Sequence, residues 1–130
     1  MQFAIAIYGP PYTYQASASG LMFARAVLSE GHSISRIFFY HDGVYNANRW
    51  IEAPQDETDI TAGWRDLARS HDLDMVVCVA SALRRGMLDP TEASRYEHDA
   101  ASVAPEFTIS GLGQLIDAAI DCDRLVTFGV

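Results

Sequence analysis

Short apolar runs of β-forming residues alternate with helical patterns along this chain, and no other feature of the sequence restricts the fold as much. The five runs are Gln2–Tyr8, Ser33–Tyr40, Met75–Val77, Glu106–Ile109 and Leu125–Phe128. Strands that alternate with helices are typical of an α/β protein with a mainly parallel sheet. Right-handed crossovers would place helices on both faces of that sheet. We therefore predict a single-domain, flavodoxin-like sandwich with four or five strands.

The segments between the runs carry apolar residues at helical spacing. The predicted helices are Ser17–Ser29, Asp59–Ser70, Val79–Arg85, a short one starting within Asp89–Ala93, and a last one starting within Ser110–Leu115. Ser110 is the expected N-cap of the last helix, since a serine hydroxyl accepts a hydrogen bond from a first-turn N–H group. The polar segment Tyr96–Pro105 is predicted to be a loop with some mobility.

The composition fits one globular domain and excludes several classes of function. The chain has 130 residues, of which 49% are apolar and 20% charged, and its formal net charge is −8. Its nine basic residues are all arginine. Because an acidic chain is poorly suited to bind a phosphate backbone, nucleic acid is not an expected partner. Without lysine, neither Schiff-base chemistry nor a lysine-dependent P-loop is available.

Motifs for metals, nucleotides and membranes are missing from the sequence. Neither CxxC nor HxxxH spacing occurs, so we expect no metal site, and two cysteines do not make a disulfide framework. The chain lacks GxGxxG and GK[ST], which disfavours a flavodoxin-type module that binds a phosphorylated small molecule. The apolar run at the N-terminus is too short for a signal peptide or a membrane span. These features predict a cofactor-free protein of the reducing cytoplasm, away from the membrane.

Cys78 is the candidate reactive centre. It follows the apolar run Met75–Val77 and precedes the helical segment Val79–Arg85. Ligand chemistry in open α/β sheets takes place at the carboxyl ends of the strands. The free N–H groups at a helix start favour a thiolate over a thiol, as do guanidinium groups such as those of Arg84 and Arg85. Cysteine is also among the most frequently buried residues, so an inert core thiol is the alternative interpretation.

Three loops are expected to converge on the carboxyl edge of the sheet: Gly9–Tyr14, His41–Arg49 and Cys78–Arg85. The second loop contains residues able to line a pocket or a subunit contact, namely His41, Tyr45 and Asn46. His41 is equally compatible with a solvated turn, and the two arginines of the third loop with solvent or a subunit contact. Cys122 lies at the start of the last run, away from that edge, and is predicted to be structural.

Four segments of the chain carry a resemblance to a known family: FAIAIYGPPYTYQASASG, IFFYHDGVYNANR, VCVASALRRGM and FTISGLGQLIDAAIDCDRLVTF. Because of these segments, the chain resembles the DsrE/TusD family of sulfurtransferase subunits over nearly its whole length. The segment DLDMVVCVA around Cys78 is more similar to the DsrE branch of sulfur-oxidising bacteria. The TusD branch serves tRNA 2-thiouridine synthesis.

The resemblance implies that Cys78 carries sulfur as a persulfide, without a metal or an organic cofactor. It also implies assembly with two smaller related subunits, similar to DsrF or TusC and to DsrH or TusB, into a dimer of heterotrimers. Sulfur would arrive from a TusA-like donor and leave to a DsrC-like or TusE-like acceptor. Dissimilatory sulfur oxidation is the preferred setting, and tRNA thiolation is the second. The alternative is a non-catalytic scaffold subunit of the same complex.

Overall fold

A single five-stranded sheet forms the centre of the molecule, and a computed structural model describes every residue from Met1 to Val130. The strands are β1 (Gln2–Ile7), β2 (Ser33–Phe39), β3 (Met75–Cys78), β4 (Phe107–Ser110) and β5 (Arg124–Phe128). Their order in the sheet is β4-β3-β2-β1-β5, and every neighbouring pair is parallel. The predicted α/β class and parallel sheet are confirmed, and the sheet has five strands where four or five were predicted.

Five α-helices and one 3₁₀ segment connect the strands. The helices are α1 (Ala16–Ser29), α2 (Ile60–His71), α3 (Val79–Arg84), α4 (Pro90–Arg95) and α5 (Gly113–Asp121). The 3₁₀ segment covers His41–Ala47, directly after β2. Every predicted helix is present, with small differences at the ends. None of these helices combines the length and the apolarity that a membrane span requires.

The two faces of the sheet carry unequal layers, because successive side chains of a strand point to opposite faces. On the first, which we call the main face, α1 and α2 pack against the strands in a core cluster of 19 buried residues that includes Trp64. On the second, the α5 face, the buried cluster consists only of Phe38, Val76 and Cys78, with Leu115 of α5 packed against it. Helices therefore cover both faces, as predicted, but one layer is much thinner.

The order of the connections explains this imbalance. Strands β1 to β4 follow one another outward across the sheet, so right-handed crossovers leave their helices on one face. From β4 the chain crosses the whole sheet to reach the free side of β1, and α5 makes this return on the opposite face. Only one short helix is therefore available to cover the α5 face.

Helix α2 shows how local sequence sets the ends of an element and ties it to the sheet. Asp59 is its N-cap, and the carboxylate accepts hydrogen bonds from Ala62 N and Thr61 Oγ1, each 3.0 Å long. Within the helix, the ring of Trp64 stands perpendicular to that of Phe39, with the centroids 5.3 Å apart. This edge-to-face pair fixes α2 against β2 on the main face.

The predicted N-cap of the last helix is wrong. Ser110 is the last residue of β4, where it pairs with Cys78 of β3, and α5 begins only at Gly113. Because the ladder between β3 and β4 continues as far as Cys78, Ser110 belongs to the strand and not to a cap. Leu112 occupies the N-cap position, and its side chain makes no capping hydrogen bond.

The segment Tyr96–Pro105 has no helix or strand of its own, as predicted, but its second half is anchored. Ser102 is buried, and its hydroxyl accepts a 2.9 Å hydrogen bond from Leu88 N and donates one of 2.7 Å to Gly86 O. Val103 is also buried and forms an isolated bridge with Asn48. These contacts hold the loop against the chain that follows α3 and against the end of the 3₁₀ segment.

Candidate functional site

Cys78 lies at the strand–helix junction that the sequence predicts. It is the last residue of β3 and immediately precedes α3. Only 3% of Cys78 is exposed, and its side chain makes no capping hydrogen bond to α3, which is six residues long. The thiol therefore stands at the carboxyl edge of the sheet, as expected, but beneath other side chains.

Cys78 belongs to a small buried cluster on the α5 face. Cys78 packs with Phe38 and Val76, which are both buried. Tyr40 and Leu115 pack against this cluster and are themselves partly exposed, so they lie between it and solvent. The side chain of Cys78 therefore lies on the α5 face and is separated from the main core by the sheet.

Tyr40 and Leu115 were not among the residues that the sequence predicts for the site. The alternation of side chains along β2 predicts that Tyr40 lies on the same face as Phe38. Phe38 pairs with Val76 of β3, so this pattern places Tyr40 near the Cys78 cluster. No local signal identifies Leu115. Its place against this cluster depends on the long return from β4 to β5.

Aromatic rings gather at the end of β2, next to the Cys78 cluster. The ring centroids of Tyr40 and His41 are 4.0 Å apart, and that of Tyr8 lies 5.3 Å from Tyr40 and 5.8 Å from His41. His41 is exposed and has a left-handed φ of 49°. Its N–H donates a 3.1 Å hydrogen bond to Ser81 Oγ of α3. His41 thus lies beside Tyr40, which packs against the cluster that contains Cys78.

Arg85 connects the end of α3 to the 3₁₀ segment. Its Nε donates a 2.7 Å hydrogen bond to Asp42 Oδ1, and its Nη1 donates one of 3.1 Å to Ser81 O. The side chains of Arg85 and Asp42 are 21% and 55% exposed, so water screens the pair and limits its contribution to at most about 1 kcal/mol. The guanidinium contacts Asp42 instead of Cys78, and its role in this structure is to hold the loop.

Arg84 points to a different part of the surface. It is exposed, and it lines a shallow pocket of about 420 Å³ together with Tyr96 and His98. Cys78 does not line this pocket. Neither arginine is therefore placed against the thiol, although both follow it closely in sequence.

Asn46 makes buried hydrogen bonds that hold the 3₁₀ segment in place. It is fully buried, and its Nδ2 donates 2.9 Å hydrogen bonds to Ser17 Oγ and to Gly43 O. The Ser17 hydroxyl in turn donates a 2.7 Å hydrogen bond to Gly9 O. This chain of bonds joins the 3₁₀ segment to α1 and to the end of β1, so the amide of Asn46 is not on a pocket wall or at the surface.

Tyr45 lies on the other side of the sheet from the thiol. It packs against the main core and lines an open groove with Tyr12 and Tyr14. The loops Gly9–Tyr14 and His41–Arg49 do converge there, as predicted. Cys78 is not part of that groove, so the structure separates Tyr45 from it.

The second thiol lies at the opposite edge of the sheet. Cys122 follows α5 and precedes β5, is half-buried, and has its Sγ 3.6 Å from Ala119 O. Both cysteines are free. Neither belongs to a group of His, Cys, Asp and Glu side chains that could hold a metal ion.

Known proteins are similar to this chain over nearly its whole length. DsrE of Allochromatium vinosum is 55% identical over 129 residues, which cover 99% of each chain. TusD of an Enterobacter species, named a sulfurtransferase, is 48% identical over 128 residues, 98% of this chain and 100% of that protein. The crystal structure of YchN from E. coli shares the fold, with a TM-score of 0.78 at 18% identity, and covers 98% of this chain and 100% of its own. A model of the DsrE/DsrF-like family matches residues 1–128, and the chain therefore belongs to that family.

Proposed function

We propose that this chain is a sulfurtransferase subunit that carries sulfane sulfur as a persulfide on Cys78. The observation that carries the proposal is the place of Cys78, a thiol at the carboxyl end of a parallel strand, where α/β sheets bind their ligands. The 48% identity to a TusD that is named a sulfurtransferase supports the type of reaction. Cys122, at the opposite edge, has no comparable position.

The reaction consists of two exchanges at one sulfur atom. The Cys78 thiolate attacks the outer sulfur of a donor persulfide, R–S–SH. A bond forms between Cys78 Sγ and that sulfur, the donor S–S bond breaks, and the donor leaves as a thiolate, R–S⁻. An acceptor thiolate then attacks the outer sulfur of Cys78–S–SH, and Cys78 leaves as a thiolate. Charge and atoms balance in both steps, and no external oxidant or reductant is consumed.

The surroundings of Cys78 suit a reactive persulfide. Phe38 and Val76 are apolar, and only 3% of Cys78 is exposed to solvent. A dry enclosure protects a reactive intermediate from competing reactions with solvent and small oxidants. The protein encloses and positions the sulfur of Cys78, and the exchange itself needs only two thiols.

The subunit acts in a protein-to-protein relay in the cytoplasm. Its partners are two smaller related subunits, of the DsrF/TusC and DsrH/TusB types, in a dimer of heterotrimers. A TusA-like protein donates the sulfur, and a DsrC-like or TusE-like protein accepts it. The identity of 55% to DsrE, against 48% to TusD, favours dissimilatory sulfur oxidation over tRNA 2-thiouridine synthesis as the setting.

A scaffold subunit is the second candidate, and the burial of Cys78 favours it. A thiol that is 3% exposed is also what an inert core cysteine looks like. In that case another subunit of the complex would carry the sulfur, and Cys78 would only fill space beside Phe38.

Intact mass after incubation with a persulfide donor separates these two functions. The chain is treated with glutathione persulfide, alone and assembled with its partner subunits, beside Cys78→Ser and the matched control Cys122→Ser. We expect a gain of about 32 mass units per sulfur, reversed by a reductant, in the parent and in Cys122→Ser but not in Cys78→Ser. A gain that persists in Cys78→Ser would assign the sulfur to another residue. If the assembled complex gained no sulfur, the result would support the scaffold function.

A further inference from the structure

We propose that the hydroxyl of Ser110 donates a hydrogen bond to the Cys78 sulfur whenever that sulfur is a thiolate, and so favours its charged form. The inference rests on the proposed persulfide function of Cys78 and adds a second catalytic residue to it. It starts from the register of the sheet, in which Ser110 of β4 is the direct partner of Cys78 on β3.

The side chains of Cys78 and Ser110 project from the same face of the sheet. Successive residues of a strand point to opposite faces. Val77 and Ile109 pair with each other one step earlier, and both pack in the main core. Cys78 and Ser110 are therefore turned to the α5 face together, which is also the face of the Cys78 cluster.

The pairing sets the distance between the two side chains as well. Neighbouring strands lie about 4.8 Å apart, so the Cβ atoms of the paired Cys78 and Ser110 are separated by about 5 Å. Sγ and Oγ are each the first atom beyond Cβ, and they stand at the same height above the sheet. Rotation of Ser110 about its Cα–Cβ bond turns the hydroxyl toward the sulfur.

The hydroxyl of Ser110 is available for this contact. Unlike the hydroxyls of the buried serines Ser17, Ser81 and Ser102, that of Ser110 makes no hydrogen bond within the chain. No side chain caps the start of α5, so Ser110 has no capping role either. A neutral thiol is a weak acceptor, whereas an anionic acceptor attracts a donor strongly. The contact therefore belongs to the charged state of Cys78.

The surroundings of the sulfur make a donor valuable. Phe38 and Val76 are apolar, and only 3% of Cys78 is exposed. A charged group that is removed from water is destabilised unless it is paired or hydrogen-bonded. Both exchanges pass through a thiolate on Cys78, before loading and after release. A hydroxyl on the next strand offsets the loss of hydration in that state.

The charged side chains of the α5 face lie elsewhere. Arg36 of β2 donates to Asp74 Oδ2 and to Gln114 O. Asp74 directly precedes β3, so it lies about 13 Å from Cys78 along the strand. The carboxylates of α5 are exposed to water: Asp117 and Asp121.

Tyr40 carries the other hydroxyl near the sulfur. In the register of β2 and β3 it stands on the opposite flank of Cys78 from Ser110. Its ring packs against the Cys78 cluster and lies 4.0 Å from the ring of His41. The phenol oxygen is at the far end of this ring, several bonds beyond the height of Sγ. The Ser110 hydroxyl is at the height of Sγ, and it is therefore the one that we assign as the donor.

The donor acts on both exchanges. In the release step the acceptor thiolate attacks the outer sulfur, the S–S bond breaks, and the electron pair of that bond stays on Cys78 Sγ. Ser110 keeps its proton and donates the hydrogen bond to this sulfur. A better stabilised thiolate leaves faster. In the loading step the same bond raises the fraction of Cys78 that is ready to attack.

The pH profile of alkylation by iodoacetamide tests the donor without any sulfur transfer. The full chain is used in a Cys122→Ser background, with intact mass as the readout. We expect Ser110→Ala to raise the midpoint of the profile by about one pH unit, because the Cys78 thiolate loses a hydrogen bond. Below the midpoint alkylation should slow about threefold, since about tenfold less thiolate is partly offset by its greater nucleophilicity. Ser110→Thr keeps the hydroxyl and should restore the parent profile.

Thr108→Ala is the matched control. Thr108 lies on the same strand and face as Ser110 but pairs with Val76, about 6.6 Å further along β4. Its loss should leave the midpoint unchanged. An equal shift in Thr108→Ala or an unmoved midpoint in Ser110→Ala would overturn the proposal. So would a shift in Tyr40→Phe that Ser110→Ala does not show, or a rate change of equal size at every pH, which reports altered access to the sulfur.

Transfer of loaded sulfur to cyanide separates this inference from the proposed function. Cyanide attacks the outer sulfur of Cys78–S–SH, thiocyanate forms, Cys78 leaves as a thiolate, and the persulfide proton goes to water. We expect thiocyanate to form about threefold more slowly in Ser110→Ala than in the parent or in Thr108→Ala. A shifted alkylation profile in a chain that gains no sulfur would refute the persulfide function and leave Ser110 as a donor to the thiolate. Normal loading and release with an unchanged profile would do the reverse.

Discussion

On the main face of the sheet Trp64 and Phe39 are completely buried, whereas on the α5 face the side chains that pack against the Cys78 cluster, Tyr40 and Leu115, are partly exposed. Both faces belong to the same five strands, so backbone pairing does not cause the difference. It follows from the connections, which place most helices on one face and a single nine-residue helix on the other. The thick layer contains most of the buried core, and the thin layer contains the small cluster to which Cys78 belongs.

The largest effect is expected on the main face, in Trp64→Ala. Trp64 is 0% exposed and packs edge-to-face with Phe39, so its truncation leaves a cavity at the centre of the core. We expect a loss of about 3–5 kcal/mol in the free energy of unfolding, measured by urea denaturation. A loss below about 1 kcal/mol would mean that the main core does not dominate stability.

Asn46→Ala is expected to have the next largest effect, again on the side of the main core. The variant leaves the buried Ser17 hydroxyl and the Gly43 carbonyl without their 2.9 Å partner. We expect a loss of about 1–3 kcal/mol in the same measurement, as for other buried polar groups that lose a partner. Asn48→Ala is the matched control, since Asn48 is half-buried and its side chain only accepts a hydrogen bond from Trp50 N, and its effect should be smaller.

Leu115→Ala should cost less than a leucine truncation in the main core. Truncation of a fully buried leucine costs about 2–5 kcal/mol, but Leu115 is partly exposed and packs against a cluster of only three buried residues. We expect about 1 kcal/mol for Leu115→Ala and at least about twice that for Leu67→Ala, both from urea denaturation. Equal losses would show that the two faces are equally well packed, and the comparison between them would fail.

The sequence predicts the fold well because the signals for strands and helices are local. Hydrophobic runs and helical spacing identify all five strands and place Cys78 at the end of β3. Ser110 is the exception, because its role depends on pairing with Cys78 across the sheet. A residue whose partner is distant in sequence carries little local signal.

The candidate site shows the same limit more clearly. Arg84 and Arg85 follow Cys78 closely, yet one is exposed and the other pairs with Asp42. Leu115, which packs against the cluster that contains the thiol, is far away in sequence and arrives by the return from β4 to β5. Proximity along the chain predicted the wrong neighbours for the thiol, since a strand–helix junction sends successive side chains in different directions.

The smallest effect is expected from the ion pair of Arg85 with Asp42, which joins the end of α3 to the 3₁₀ segment. In Arg85→Gln the 2.7 Å contact is lost, and with it the bond from Arg85 to Ser81 O. Because both side chains are partly exposed, we expect a loss of only about 0.5 kcal/mol, which shrinks further at high salt. Arg84→Gln is the matched control, an adjacent arginine in no ion pair, and should change stability by less. If Arg85→Gln instead slowed persulfide loading many-fold at unchanged stability, the guanidinium would act on the sulfur chemistry itself, and the thiol would have a charged partner that its contacts in this structure do not provide.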